Sequence, residues 1–395
     1  MKRLTTVILS VILLGTGLGL ALPAAAEDAG LPDLDAAAEP SIKTLEDGIV
    51  SFEKGSFKAA LHARIQGWGG WVGQDANLEK GDRMQEPGFR LRRARFGIDG
   101  HFIESVTYSL EMNLFDDERG GGPLYEAWLD WTPTRYLGAT LGVTKFPFMK
   151  SEMMSSAFLP HLDRPLGTYA MSPPNAMGLT LHSEPWKKHL TIELGVYNGL
   201  RRDEHFWKGY EGVGVSLGNR YEELSFAGRL DLAPLGELSK GLADPGRTEG
   251  VRFAMGGSGF YNTGGTINSS GFSAYTHLKA HGIHFFAEFT QDNAEPRDKP
   301  TTVGTMSIGA TRRVFNASLG YVFIKNMLGL AVRGEWIDGD IDTDNEEDQW
   351  IVGGTLTWYA VGDFFKIQVE YMYREELHGA SIDNDWAMLG ALLHF

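Results

Sequence analysis

Four arginines crowd together at Arg90, Arg92, Arg93 and Arg95, in the run GFRLRRARFGIDG from Gly88 to Gly100. A guanidinium presents a planar fork of N–H donors that fits carboxylate and phosphate oxygens through charge-assisted hydrogen bonds, so the chemistry on offer is recognition of an anion. Phe89, Leu91, Ala94, Phe96 and Ile98 are interleaved with them. A strand of period two then carries cations on one face and apolar side chains on the other. Leu91 and Ala94 are three apart, which strict alternation forbids, and one extra residue at Arg92-Arg93, a β-bulge, restores the pattern. Two uses of this ladder are open. The arginines select anions, as rings of charge do in pores, or they pair with Glu111, Glu126 or Asp130 on neighbouring strands.

Further cations stand apart from this ladder. Arg64 lies on the polar face of the alternating run Phe57 to Gln66, and Lys145 and Lys150 flank Phe146-Pro147-Phe148. The two lysines fit either a constriction or a snorkelling position at a membrane rim. Arg164, in LDRP, can tie a loop to a wall through a carboxylate. The acidic run Asp338, Asp340, Asp342, Asp344, Glu346, Glu347, Asp348 lacks the Gly and Glu that an EF-hand requires. It reads as a solvated loop able at most to hold divalent ions weakly. The 11 histidines fall in no zinc, nucleophile or P-loop spacing. No cofactor, metal site or enzymatic activity is expected.

The elements that must position these residues are strands. Val106, Tyr108, Leu110, Met112 and Leu114 alternate with Thr107, Ser109, Glu111 and Asn113; Tyr125, Ala127, Leu129 and Trp131 face away from Glu126, Trp128 and Asp130; the pattern continues to Leu389, Ala391, Leu393 and Phe395. Short turns at one end alternate with long loops at the other, and the count comes to about sixteen strands, an arrangement typical of outer-membrane barrels. Spans near 210–222 and 303–315 are strand extensions or loop hairpins. The segment Phe146 to Ala176 breaks the pattern. It is too rich in Phe, Met and Leu for a solvated loop of that length, so it packs on something, and in a barrel that is the inner wall.

Met1-Lys2-Arg3, an apolar run to Leu22 and the small residues Ala24 to Ala26 read as a secretory signal peptide over 1–26, followed by an acidic, mobile periplasmic lead-in over 27–55 and a barrel over 56–395. Losing Lys2 and Arg3 takes the formal charge from -15 to -17, which disfavours a nucleic-acid partner. The absence of cysteine removes disulfides and thiolate sites. No later stretch approaches eighteen apolar residues, so a helical membrane protein is excluded and a closed barrel is the remaining way to span a bilayer. Aromatics at strand ends (Phe57, Trp71, Trp131, Phe323, Trp336, Trp358, Phe365, Tyr373, Phe395) fit interfacial girdles, and the opposite face is too polar for a packed core. The fold class is therefore all-β, a transmembrane antiparallel β-barrel.

The runs GFRLRRARFGIDGHF, VTYSLEMNLF, PLYEAWLDW and LGATLGVTKFPF, with MMSS and LDRPLG in the loop that follows, resemble the phosphate-selective porin O/P family of Gram-negative outer membranes, most closely from Phe57 to Leu166. The resemblance implies a 16-stranded homotrimeric barrel with its long third loop folded into the lumen, and a terminal Phe395 that hands the chain to the barrel-assembly machinery. It places Arg92, Arg93 and Arg95 on the family's basic strand and Lys145 and Lys150 where its third loop begins. The expectation is an outer-membrane porin surrounded by lipid and lipopolysaccharide, passing small solutes with a preference for phosphate- or polyphosphate-like anions. Its pore would be lined by Arg64, Arg90, Arg92, Arg93, Arg95, Lys145 and Lys150, with Phe146, Phe148 and Arg164 in the constriction loop. The alternatives are a channel without phosphate specificity, a structural or surface-recognition barrel blocked by the Phe146 to Ala176 segment, and, remotely, a lipid-modifying enzyme with a Ser-His pair at the rim.

Overall fold

The computed structural model describes residues 41–44, 50–73, 87–116, 124–202, 206–212, 223–239, 241–297 and 308–395. The expected signal peptide over 1–26, and most of the expected lead-in, lie outside the described residues. The end of the lead-in is more regular than expected. Strands β1 (Ser41–Thr44) and β2 (Val50–Lys54) form an antiparallel pair, and β2 continues onto the start of β3 (Phe57–Val72), with Val50 opposite Leu61.

From β3 the chain meanders. β4 (Gly88–Ile103), β5 (Val106–Asp116), β6 (Leu124–Thr134), β7 (Leu137–Thr144), β8 (Ala176–Trp186) and β9 (Leu190–Asn198) each pair with the preceding strand. The small hairpin β10 (Leu200–Arg202) and β11 (Tyr210–Gly212) stands apart from the main sheet. The meander resumes with β12 (Leu224–Leu232), β13 (Val251–Asn262), β14 (Ile267–Ala280), β15 (Ile283–Pro296), β16 (Ala310–Ile324), β17 (Leu328–Asp338), β18 (Gln349–Asp363), β19 (Phe365–Glu376) and β20 (Trp386–His394). β12 pairs with β9, and β20 pairs back onto β3, with Leu393 opposite Ile65. The wall is thus a closed antiparallel barrel of sixteen strands, β3–β9 and β12–β20. Of the two ambiguous spans, 310–315 belongs to the long wall strand β16 and 210–212 to the loop hairpin.

Closure leaves no strand edge unpaired, which a backbone surrounded by lipid requires. Period-two alternation then sorts the side chains. Along β19, Lys366, Gln368, Glu370, Met372 and Arg374 are buried while Val369, Tyr371 and Tyr373 are exposed. The two-residue turn at His281-Gly282 carries positive φ at both positions, 53° and 93°, the type I′ geometry that matches strand twist.

Of the register shifts along the wall, two redirect charged or aromatic side chains near the segment between β7 and β8, with one cause. On β4, Gln66 lies opposite Arg93 and Gly67 opposite Leu91, so Arg92 is the extra residue of a bulge and both arginines turn to the buried face. This is the irregularity expected from the spacing of Leu91 and Ala94. The second was not expected. Glu111 lies opposite Glu126 and Met112 opposite Leu124, so Tyr125 is bulged and shares the buried side with Glu126 instead of facing away from it.

The segment between β7 and β8 is irregular apart from short helical turns at Lys150–Met153, Ser156–Phe158 and Leu166–Met171. It lacks a strand partner, so side chains from the wall satisfy its buried backbone, as every buried peptide group demands. Lys366 donates to the Leu159 carbonyl, Gln368 to Pro160 at 2.9 Å, Gln66 to Leu162 at 2.7 Å and Arg333 to Asp163 at 2.7 Å. In return, the Leu162 and Gly167 N–H groups donate to Glu370 at 3.1 Å and Glu335 at 3.2 Å. Phe146, Phe148, Met149, Leu162, Leu166 and Met171 join Trp68, Tyr197, Phe260, Val314, Ile337 and Met372 in one apolar cluster.

The connection after β12 is long although it lies at the short-turn end. Leu242 from it packs on Leu159, Tyr275 and Phe286, and its N–H donates to the Phe158 carbonyl at 3.2 Å. Gly241 makes that approach possible. Its φ is 84°, and a Cβ there would stand 2.2 Å from Phe158 Cβ.

Candidate functional site

Beside the segment between β7 and β8 lies a cavity of about 560 Å³, within the usual range for small-molecule sites of roughly 300–1,000 Å³. Its basic residues are Arg64 from β3, Arg95 from β4, and Lys145 and Arg164 from the segment; its acidic ones are Glu111, Glu126, Asp130 and Glu193 from β5, β6 and β9. Each wall residue occupies a strand position whose alternation, or whose bulge, turns it from lipid.

These cations differ in what holds them. Among the described residues Arg64 donates only to hydroxyls, from Nη1 to Ser156 at 3.0 Å and from Nη2 to Ser155 at 3.1 Å, and its buried Nε has no hydrogen-bond partner there. Lys145 donates to the Met153 carbonyl at 3.0 Å and the Met154 carbonyl at 3.4 Å. Burial lowers the Lys145 pKa from its ordinary value, because a desolvated ammonium without a carboxylate contact is disfavoured. Arg95 sits 3.5 Å from the Tyr125 ring centroid and 3.7 Å from Glu111, a cation–π contact that the bulge at Tyr125 creates. Arg164 is enclosed by the segment itself, donating to the Ser151, Glu152 and Met154 carbonyls and pairing with Glu152 at 3.3 Å. Burial opposes its charge, but Glu152, Tyr169, Tyr125 and Asp163 outweigh that and raise its pKa.

The remaining expected residues are not brought to this cavity. Arg92 Nε lies 2.8 Å from Asp163 Oδ2, and Arg93 Nη2 lies 2.9 Å from Asp163 Oδ1, with Tyr169 bonded to both guanidinium groups and to the same carboxylate. Both arginines are 1% exposed and Asp163 is 5% exposed. They clamp the segment to the wall. Arg90 is half-buried, 5.5 Å from the Trp68 ring centroid. Lys150 reaches another wall, pairing with Asp231 on β12 at 2.7 Å, and burial lowers its pKa, Arg229 adding to the effect. Phe146 and Phe148 are fully buried, and both pack edge-on against Phe260.

Sequence reasoning missed Tyr125, Ser155, Ser156, Asp163 and Tyr169 as partners of the cations. The two-residue spacing of Asp163 from LDRP's proline carried no signal for its partners, since these lie about seventy positions earlier in the chain. Among the described residues, Asp344 and Asp348 of the acidic loop and His378 of the connection after β19 bring ligand atoms near one another, two of the three exposed.

No curated protein matches the chain in sequence. Residues 67–223 match the family model of phosphate-selective porin O and P. Among solved structures, OprB of Pseudomonas putida is similar with TM-score 0.55 and 11% identity, covering 86% of this chain and 94% of that one. The outer-membrane expressed OmpT of Vibrio cholerae has TM-score 0.54 and 9% identity, with 87% and 99% covered. An anion-selective porin from Comamonas acidovorans has TM-score 0.54 and 9% identity, with 85% and 99% covered. At these identities the likeness concerns the fold, and the family match runs from within β3 to just before β12, taking in Arg92, Arg93 and Asp163 and the residues lining the cavity other than Arg64. Residues 67–223 are thus similar to the phosphate-selective porin O and P family, and the wall that carries them is a closed sixteen-stranded barrel of the fold found in these outer-membrane porins.

Proposed function

We propose that the chain is a passive channel for small solutes with a preference for phosphate-like anions, the conducting path running through the cavity beside a segment that folds into the lumen and narrows it. The observation that carries the preference is the state of Arg64 and Lys145. Both line the cavity, both donate only to neutral oxygens, and neither has an ion-pair partner among the described residues. A cation whose field is not cancelled by an adjacent carboxylate attracts anions in a low-dielectric wall. Arg92 and Arg93 serve the channel as anchors of the segment, so selectivity passes from them to Arg64, Lys145 and Arg95. A homotrimer in the outer membrane is the assembly proposed, since one of the similar structures is of a trimer form, with lipid and lipopolysaccharide around it and Phe395 presented to the assembly machinery.

The test is the reversal potential of purified protein in planar bilayers under asymmetric KCl. Anion preference is expected, reduced in Arg64→Gln and further in the Arg64→Gln, Lys145→Gln pair. Cation preference in the unsubstituted protein refutes the anion reading. A heat-modifiable barrel without conductance steps would favour a surface barrel blocked by the segment.

A further inference from the structure

The same cavity holds an arrangement of carboxylates that anion selection does not use. Glu111 and Glu126 are direct cross-strand partners on β5 and β6, and both line the cavity. Like charges directly opposite each other are destabilising, and a shared proton or a lodged cation relieves them. Glu111 has Arg95 at 3.7 Å, whereas Glu126 accepts only a long bond from Trp128 Nε1 at 3.4 Å and has no ion-pair partner among the described residues. Asp130 lies four residues further along the same face of β6, tied to Thr132, Thr140 and His182.

The cavity thus offers, on β6, a carboxylate without a cation in contact, and, on β3 and just after β7, Arg64 and Lys145 without an anion in contact among the described residues. The two do not join into a salt bridge, although Lys145 and Glu126 are near enough to feel each other's charge. Their side chains are spoken for by hydroxyls, carbonyls and an indole, which hold them apart.

We propose that this cavity binds dipolar solutes, small molecules carrying an acidic group and an ammonium group on one short frame, of which α-amino acids are the simplest. The acidic end meets Arg64 and Lys145, and the ammonium end meets Glu126 beside Glu111. Tyr125, on its bulge, holds Arg95 over its ring and keeps that guanidinium with Glu111, leaving Glu126 open. A solute bearing both charges satisfies both sets at once, while a simple anion leaves Glu126 uncompensated. The inference rests on the reading of the chain as an open channel, and adds the solute class to it.

The test uses the purified full-length protein in planar bilayers, with glycine, acetate, methylammonium and acetamide as probes of similar size. The readout is the concentration of each that halves the KCl current. Glycine is expected to act at about a tenfold lower concentration than the other three, the advantage of one additional charge-assisted hydrogen bond. In Glu126→Gln, glycine should lose about that tenfold advantage while acetate keeps its value. If this variant does not give a heat-modifiable barrel, the unsubstituted protein decides through the probe series alone. Equal potency of glycine and acetate overturns the inference and leaves the anion-selective channel intact. Equal potency of glycine and methylammonium, or an unchanged glycine value in Glu126→Gln, also overturns it. Absence of any conductance step sinks both this inference and the channel reading.

Discussion

Asp163→Asn is the most informative single perturbation of the segment between β7 and β8. The native carboxylate accepts from Arg92 Nε at 2.8 Å, from Arg93 Nη2 at 2.9 Å, and from its neighbouring Arg164 N–H at 2.9 Å. Asn preserves the shape but removes the charge, leaving two adjacent buried guanidinium groups facing each other. Breaking a buried pair by removing one partner costs about 3–5 kcal/mol. About 4 kcal/mol is nearly a thousandfold shift between seated and unseated states of the segment. Lys150 to Asp231 and the bonds from Ser151 to Glu288 and Leu162 to Glu370 still hold other parts of it. The expected phenotype is therefore a folded barrel with a loosened constriction, seen as larger conductance steps and greater open-channel noise in planar bilayers. Arg92→Gln alone should also loosen it, and in the double variant the losses should add to less than their sum, because the cycle removes one shared interaction. Conductance, noise and thermal midpoint all unchanged in Asp163→Asn would refute the clamp.

Two further outcomes follow from the same contacts. His161 is buried between Thr355 and Ser318, and burial, partly opposed by Glu370, lowers its pKa to about 4 from 6.5. The unfolded chain then binds a proton before the folded one does, so stability rises with pH across that window and is lost as pH falls from about 6.5 toward 4, by about 3 kcal/mol in total. Urea midpoints at pH 7.5 and 5 should diverge more for the unsubstituted protein than for His161→Gln, and parallel shifts would refute this. Phe148→Ala removes a fully buried ring stacked edge-on against Phe260 at 4.7 Å, with an expected cost of about 3–5 kcal/mol, read as a fall in the temperature at which the barrel loses its heat-modifiable mobility.

Much of this architecture was legible before any coordinates. Lys366, Gln368 and Glu370 alternating with Val369 and Tyr371 define two faces, and only lipid outside with polar surroundings inside explains both, since strand alternation is a local property of the backbone. The bulge at Arg92 was legible for the same reason, from the misfit of Leu91 and Ala94. The bulge at Tyr125 was not, because Tyr is equally at home in an outer girdle and on an inner wall, and alternation through Tyr125, Ala127 and Leu129 is unbroken in the sequence.

The amino-acid sequence by itself determined the strands, their two faces, the barrel class and the existence of an apolar segment that must pack on something. Only the tertiary structure decided what the inward charges do. Arg92 and Arg93, a candidate selectivity ladder by their spacing, are in the folded chain the grip on Asp163; Lys366 and Gln368, on the polar face of β19, are donors to the carbonyls of Leu159 and Pro160. The physical reason is that facing is set by neighbours in sequence, whereas the cancellation of a charge is set by whichever oxygen stands about 3 Å away, and that oxygen belongs to a residue far along the chain.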